Sequence, residues 1–348
     1  MKKRILYLDE LRLFAILCII LLHSLSLFRY FCFDNNTFDF TFWTIFDSLT
    51  RIGLPIFFML TGILMFQKKD EDYLEFFKKR VLRLIIAYII FDSIYYFYDV
   101  LINHYAFSLY EYVYSMTTGA VIYHLWFMPV IIMIYLFLPF LKKLVLSLNK
   151  KELEILIILI FLLGNCLVGL RAILELRNYD LMWSFTLPSL IIYTNYLFIG
   201  YYLYKYEIKL NYKIIIPSII SLILMTVLTL VVSRESVNDI FLNSQSPLVV
   251  LPSCLVFLLF KKNKDKTIPS WLDNFMLKHN SDIFYVYLLH ALVISIIKTI
   301  FKIPSANSNL LIDILITILL FVATTIISFF IVWLWNIIKN LFKNKKHN

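Results

Sequence analysis

Residues 8–31 read LDELRLFAILCIILLHSLSLFRYF, an apolar run interrupted only by ionisable and small polar residues. About twenty apolar residues at ~1.5 Å rise each match a bilayer hydrocarbon core of ~30 Å, so the stretch predicts a membrane-crossing helix. Arg12 stands at its entrance and His23 deep inside it, eleven residues apart. At ~100° per residue this spacing returns to within ~20° of the same face, so the two side chains share a stripe. An ionisable group inside lipid is costly and faces a cavity or a partner, which makes His23 a candidate functional residue. The competing explanation is a core histidine hydrogen-bonded to a neighbouring helix.

Outward from this run, the rest of the 348-residue chain has the same character: 61% hydrophobic, 18% aromatic and 16% charged, with a mean hydropathy of +0.80. A soluble protein carries roughly 25% charged residues, so the deficit predicts an all-α polytopic membrane bundle, read as a single domain over 1–348. The net charge of +10 would suggest nucleic acid in a soluble protein. Here the basic residues fall between apolar runs, where they orient helices and meet anionic lipid, and no nucleic-acid partner is expected. Cys18, Cys32, Cys166 and Cys254 are scattered without metal or redox spacing and read as packing residues. The opening MKKR followed by an apolar run resembles a signal peptide, but the run is too long and lacks a small-residue cleavage site. It reads as an uncleaved first span.

Apolar runs predict about ten spans, near 11–31, 45–66, 84–102, 124–141, 153–170, 185–204, 213–232, 246–260, 282–300 and 310–338. The eighth is short and holds Pro247 and Pro252, and the tenth is long enough to tilt or run along the interface. No internal repeat is visible. With the N-terminus on one side, 26 Lys and Arg fall on that side and 7 on the other, the latter being Arg29, Arg51, Arg171, Arg177, Arg234, Lys298 and Lys302. This asymmetry predicts that both termini are cytoplasmic, which requires an even number of spans.

Several further residues stand out against this frame. The first inner loop and the helix entrance after it read QKKDEDYLEFFKKRVLRLIIAY, with Arg80 and Arg83 three apart on one helix face. Guanidinium groups so placed can fork onto phosphates, and ordinary positive-inside anchoring explains them as well. RIGLPIFFMLTGILMF, residues 51–66, combines Arg51, Pro55 and Gly62: a bent helix beside a cavity, or a structural kink with a snorkelling arginine. Gly62 would let a neighbouring helix approach closely. Asp92 is buried by position and expects a histidine or arginine partner across the bundle. His124 and Trp126 open the fourth span near the outer interface, where aromatic belts are common. His290, about eight residues or ~12 Å into the ninth span, reaches a depth similar to that of His23.

The set LDELR…H, GLPIFFMLTG, RVLRLIIAY, HLWFMPVIIMIYLFLPFL, YLFIGYYL and FYVYLLH, in this order along nearly the whole chain, resembles acyltransferase family 3, the integral membrane O-acyltransferases. Arg12 and His23 match the family's basic residue and histidine separated by ten positions, and Arg80 and Arg83 match its paired arginines. Leu54, Pro55 and Thr61 depart from the common pattern in span two, as does Ala87 where proline is frequent. The Gly-hydrophobic-Pro variant resembles the members that modify surface polysaccharides.

The resemblance implies transfer of an acyl group, usually acetyl and sometimes succinyl, from cytosolic acyl-CoA to a sugar hydroxyl of a cell-envelope glycan in a bacterial plasma membrane. Acyl-CoA would enter as donor substrate, with no resident cofactor or metal implied. The chemistry is consistent with the residues: an alcohol attacking a thioester must lose a proton, and an imidazole with a pKa around 6.5 suits a general base. His23 is the expected base, with Arg12 helping to orient the site. Arg80 and Arg83 would meet CoA phosphates. Asp9, Arg51, Asp92, His124, Trp126 and His290 are the further pocket candidates, and Arg12, Arg51, tyrosines and Trp126 are the candidate oxyanion donors. The alternative is a transporter or flippase for a glycan or lipid-linked precursor, which also uses buried ionisable residues and broken helices.

Overall fold

The computed structural model describes residues 4–35, 37–69, 71–118, 124–175, 187–303 and 309–344. Among the described residues every regular element is helical. The chain opens with α1 (Leu6–Asn35), α2 (Thr37–Thr50) and α3 (Gly53–Phe66). α4 (Tyr73–Phe76) passes through a π-helical turn at Phe77–Val81 into α5 (Leu82–Ile102), and α6 (Leu109–Thr118) and α7 (Phe127–Ser147) follow. α8 (Lys150–Ile160) leads through a second π-helical turn, Phe161–Cys166, into α9 (Leu167–Glu175). The remaining helices are α10 (Ser189–Lys205), α11 (Tyr212–Val232), α12 (Pro247–Lys262), α13 (Ser270–His279), α14 (Ile283–Phe301) and α15 (Leu310–Asn344).

Eight stretches among the described residues are long and apolar enough to cross a membrane, at Leu6–Phe33, Thr37–Phe66, Tyr73–Ile102, Phe127–Ser147, Lys150–Arg171, Tyr212–Val232, Ile283–Phe301 and Leu310–Lys339. The other two expected spans are helices as well, but α10 has 17 residues and α12 has 16. Long rows of exposed apolar side chains, such as Ile216, Ile219, Ile220, Ile223 and Val227 on α11, mark surfaces suited to lipid rather than water. The protein is a multi-pass helical membrane protein. Lys2, Lys3, Arg177 and the tail lysines Lys345 and Lys346, which entered the charge count, lie outside the described residues.

The described residues form two compact units: the first takes the chain up to Ile63 and from Lys150 onward, the second is Leu64–Asn149. α1 is the centre of the first, packing against α2, α12, α13, α14 and α15, while α11 lies on α2 and α12 and α10 lies on α8 and α12. The second expected span begins eight residues early, at Thr37, because Asp39 and Asp47 dilute its hydropathy although both are buried. It is also broken in the middle rather than bent by its proline. The chain leaves the helix at Arg51–Ile52 and restarts at Gly53, where a Cβ would stand 2.8 Å from the Ala15 carbonyl oxygen. Pro55 falls in the first turn of α3, where a missing N–H costs nothing.

Two devices hold the first unit's helices in register. Gly62 and Gly200 are where α3 and α10 cross: a Cβ on Gly62 would come within 2.3 Å of the Leu197 oxygen, and one on Gly200 within 2.4 Å of the Met59 oxygen. This fulfils the close approach expected at Gly62. In α12, Pro252 has no N–H for the carbonyl of Leu248 one turn earlier, and Ser221 of α11 donates its hydroxyl to that oxygen at 2.9 Å. In the second unit α5 packs against α6 and α7, and the π-helical turn before it also lies on α7.

Candidate functional site

α1 and α14 bring the two deep histidines together, with ring centroids 5.2 Å apart and planes inclined at 31°. His290 is fully buried, and His23 is partly buried. The Nδ1 of His290 lies 2.5 Å from the backbone oxygen of Tyr287. A carbonyl can only accept, so Nδ1 carries the proton and the lone pair of the neutral ring is on Nε2. The depth match read from the two sequence positions is thus a contact. Of the two rings, His23 is the less buried.

Arg12 does not join this pair. At ~1.5 Å per residue its Cα is about 16 Å along α1 from that of His23, and its side chain belongs to a polar cluster at the start of the helix. There Arg12 donates to Asn280, which in turn donates to Asp9, and Arg12 lies 3.8 Å from the Asp9 carboxylate. Arg4 bridges Asp9 and Asp273. Nearby, Asp282 takes His279 at 2.8 Å and Asn336 at 2.9 Å.

The far end of α1 holds a second cluster that sequence reasoning identified only through Arg51. Arg51 grips Asp47 one turn earlier with two hydrogen bonds, of 2.7 and 2.9 Å. Arg29, fully buried, meets Asp47 at 3.0 Å and Asp239 at 2.8 Å, and Tyr30 donates to Asp239 at 2.5 Å. Burial pushes the Asp239 carboxyl up, but Arg51 and Arg29 outweigh it and hold the group below the usual aspartate range. The i, i+4 spacing of Asp47 and Arg51 was visible in the sequence. Asp239 sits in an irregular segment with no such signal.

In the second unit Asp92 is fully buried on α5, and Tyr95, one turn on, approaches His124 Nε2 at 3.3 Å. Trp126 caps α7 and is 38% exposed, as an interfacial aromatic would be. Arg80 and Arg83 have different surroundings. The π-helical turn places Arg80 over the Phe76 ring at 5.5 Å and against Glu71, with 2.8 and 3.0 Å bonds to its two carboxylate oxygens. The Arg80 hydrogen bond holds the Glu71 carboxyl below its usual range, against a smaller opposing push from burial. Arg80 lines a cavity of about 290 Å³ with Lys68, Lys69, Lys142 and Lys143; Arg83, exposed beyond the turn, does not line it.

A family model described as an acyltransferase domain matches residues 5–333, which takes in both units and every candidate residue above. The same comparison with curated proteins and with solved structures finds no match.

Proposed function

The chain belongs to acyltransferase family 3, and from that membership we propose that it transfers an acyl group, in the first instance acetyl, from cytosolic acyl-CoA to a hydroxyl of a cell-envelope glycan. The membrane proposed is the bacterial plasma membrane, with both termini in the cytoplasm as the charge asymmetry favours.

The partly buried ring of His23 against the fully buried ring of His290 carries the reading. His23 takes the proton of the acceptor hydroxyl as that oxygen bonds to the thioester carbonyl carbon. Collapse of the tetrahedral intermediate breaks the C–S bond, and CoA leaves as the thiol with the proton His23 returns. His290, its Nδ1–H committed to a carbonyl, holds the His23 ring in place from the buried side. Arg12, set in its polar cluster, acts on donor orientation rather than on the reacting atoms. The CoA phosphates are held by Arg80 and the basic cavity around it, with Arg83 supporting them from the surface. A transporter would move its cargo without releasing thiol.

The test uses the purified full chain in nanodiscs with acetyl-CoA and the envelope glycan, following free CoA and glycan acetyl content. His23→Ala is expected to cut turnover by on the order of 10²–10⁴-fold with donor affinity nearly unchanged. His290→Ala should lower it less. Near-normal acylation by folded His23→Ala would overturn the assignment, and loss in His290→Ala alone would move the base to α14.

A further inference from the structure

Five basic side chains line the cavity of the second unit: Lys68, Lys69, Arg80, Lys142 and Lys143. The one carboxylate among the lining residues is Glu71. At about 290 Å³ it stands at the lower end of the ~300–1,000 Å³ range of ligand clefts, with room for a phosphate and a ring-sized body. Such an excess of cations around a concave space is a site for a polyanion.

The detail that goes beyond this is how Arg80 is held. Its guanidinium lies over the Phe76 ring, which fixes the orientation of the fork. Its Nη2 donates to Oε1 of Glu71 at 2.8 Å and its Nε to Oε2 at 3.3 Å, the two-point geometry by which arginine also takes a phosphate. The cavity wall is braced independently of that pair, because Lys142 donates to the backbone oxygen of Lys68 and Tyr73 to that of Leu136 at 3.2 Å. Removing Glu71 from the fork therefore leaves the walls standing.

We propose that Glu71 is an internal occupant of this anion site: its carboxylate holds the Arg80 fork until a phosphate ester enters the cavity and displaces it. Glu71 thereby sets the threshold at which the site fills. It rejects weakly charged ligands, which cannot outcompete a carboxylate already in place, and admits a ligand whose several phosphate charges also engage the four lysines. The inference deepens the donor-site reading and rests on it only for the source of the phosphate. That source is either the phosphorylated nucleotide of CoA or the phosphodiester headgroup of an anionic lipid.

The experiment measures binding, not acylation, so it does not depend on the chemistry assigned to His23. Full-length protein in phosphatidylcholine nanodiscs is titrated with adenosine 3′,5′-bisphosphate by calorimetry. In a second arm, retention of phosphatidylglycerol from mixed-lipid nanodiscs is read by native mass spectrometry. Glu71→Gln, which keeps the shape of the side chain and removes its charge, is expected to tighten one of the two by about 3- to 10-fold, the scale of a partly exposed two-point ion pair. Arg80→Gln should weaken the same ligand by about 10-fold or more. A response to the nucleotide supports both the displaced carboxylate and the donor site. A response to the lipid alone supports the displaced carboxylate and removes CoA from this cavity. Unchanged binding of both probes by folded Glu71→Gln would overturn the proposal.

Discussion

Asp239 ties a charged group of an irregular segment to the far end of α1. It is drawn in by Arg29, Arg51 and Tyr30, and its folded-state pKa lies below the ordinary aspartate value of about 3.8. The stability it contributes is therefore complete above that value and is lost as pH falls through the lower folded-state one. Asp239→Asn is expected to lower stability at pH 7 by about 1–3 kcal/mol and to flatten the fall in melting temperature on acidification, both measured on the detergent-solubilised protein. An acid limb as steep as that of the parent would remove Asp239 from this role. The sequence could not have exposed the residue, since nothing in an irregular segment marks which helix it returns to. Much else at this scale was legible. The depths of His23 and His290 were readable from their distances to the ends of two apolar runs, and those depths agree. What was not legible is which nitrogen of His290 keeps its proton, because its partner is a backbone oxygen one turn away on its own helix. Arg80 and Arg83 were legible as a pair by an ideal helical count, and a π-helical turn, which adds a residue to the ring, separates their surroundings.

Among the elements, the crossing of α3 and α10 leaves least room. Gly62→Val would drive side-chain atoms into the backbone of Leu197, and no rotamer of a neighbour can relieve a clash with a carbonyl oxygen. A loss of about 3 kcal/mol or more is expected, at or above the usual cost of overpacking, read as a lower melting temperature or a failure to purify as a monodisperse species. Gly169→Ala is the control, since its Cβ would meet only the Pro247 ring, at 3.0 and 3.1 Å. Equal behaviour of the two variants would show that the crossing tolerates separation. Gly62 and Gly200 are each visible in the sequence as a small residue in a span, but not as partners, because a crossing point depends on tilt and rotation of both helices. The same limit explains the break between α2 and α3. Proline was the visible signal, yet the close passage of Gly53 across α1 decided where the helix stops.

For the molecule as a whole, α10 and α12 decide the count of crossings. They would span ~24–26 Å at ~1.5 Å per residue, slightly less than a ~30 Å core. The ion pair of Arg29 with Asp239 sets the segment before α12 at the end of α1 where that helix finishes, and the bond from Arg12 to Asn280 sets the end of α13 where α1 starts. If each of the eight long stretches crosses once, both contacts are met only when α10 and α12 cross too. Topology reporters placed after Lys69, Lys150, Glu207, Lys264 and Lys346 are then all expected in the cytoplasm, and reporters after His104 and Asn238 outside. Opposite signals at Glu207 would exclude α10 as a crossing.

The pairing of Arg29 with Asp239 also has a timetable. The arginine leaves the ribosome about 210 residues before its second carboxylate, which at ~5–20 residues per second is a delay of about 10–40 s. Asp47 follows Arg29 almost at once and can neutralise it within the first helical hairpin, so the nascent chain never holds that charge alone in lipid. Arg51 arrives four residues after Asp47 and shares that carboxylate with Arg29, so two arginines of the cluster meet one aspartate between them. Asp239 supplies the second carboxylate of both arginines only after α11 has emerged, so it marks completion: a chain stalled or truncated before it leaves Arg29 and Arg51 dividing one aspartate, the kind of flaw by which unfinished copies differ from finished ones.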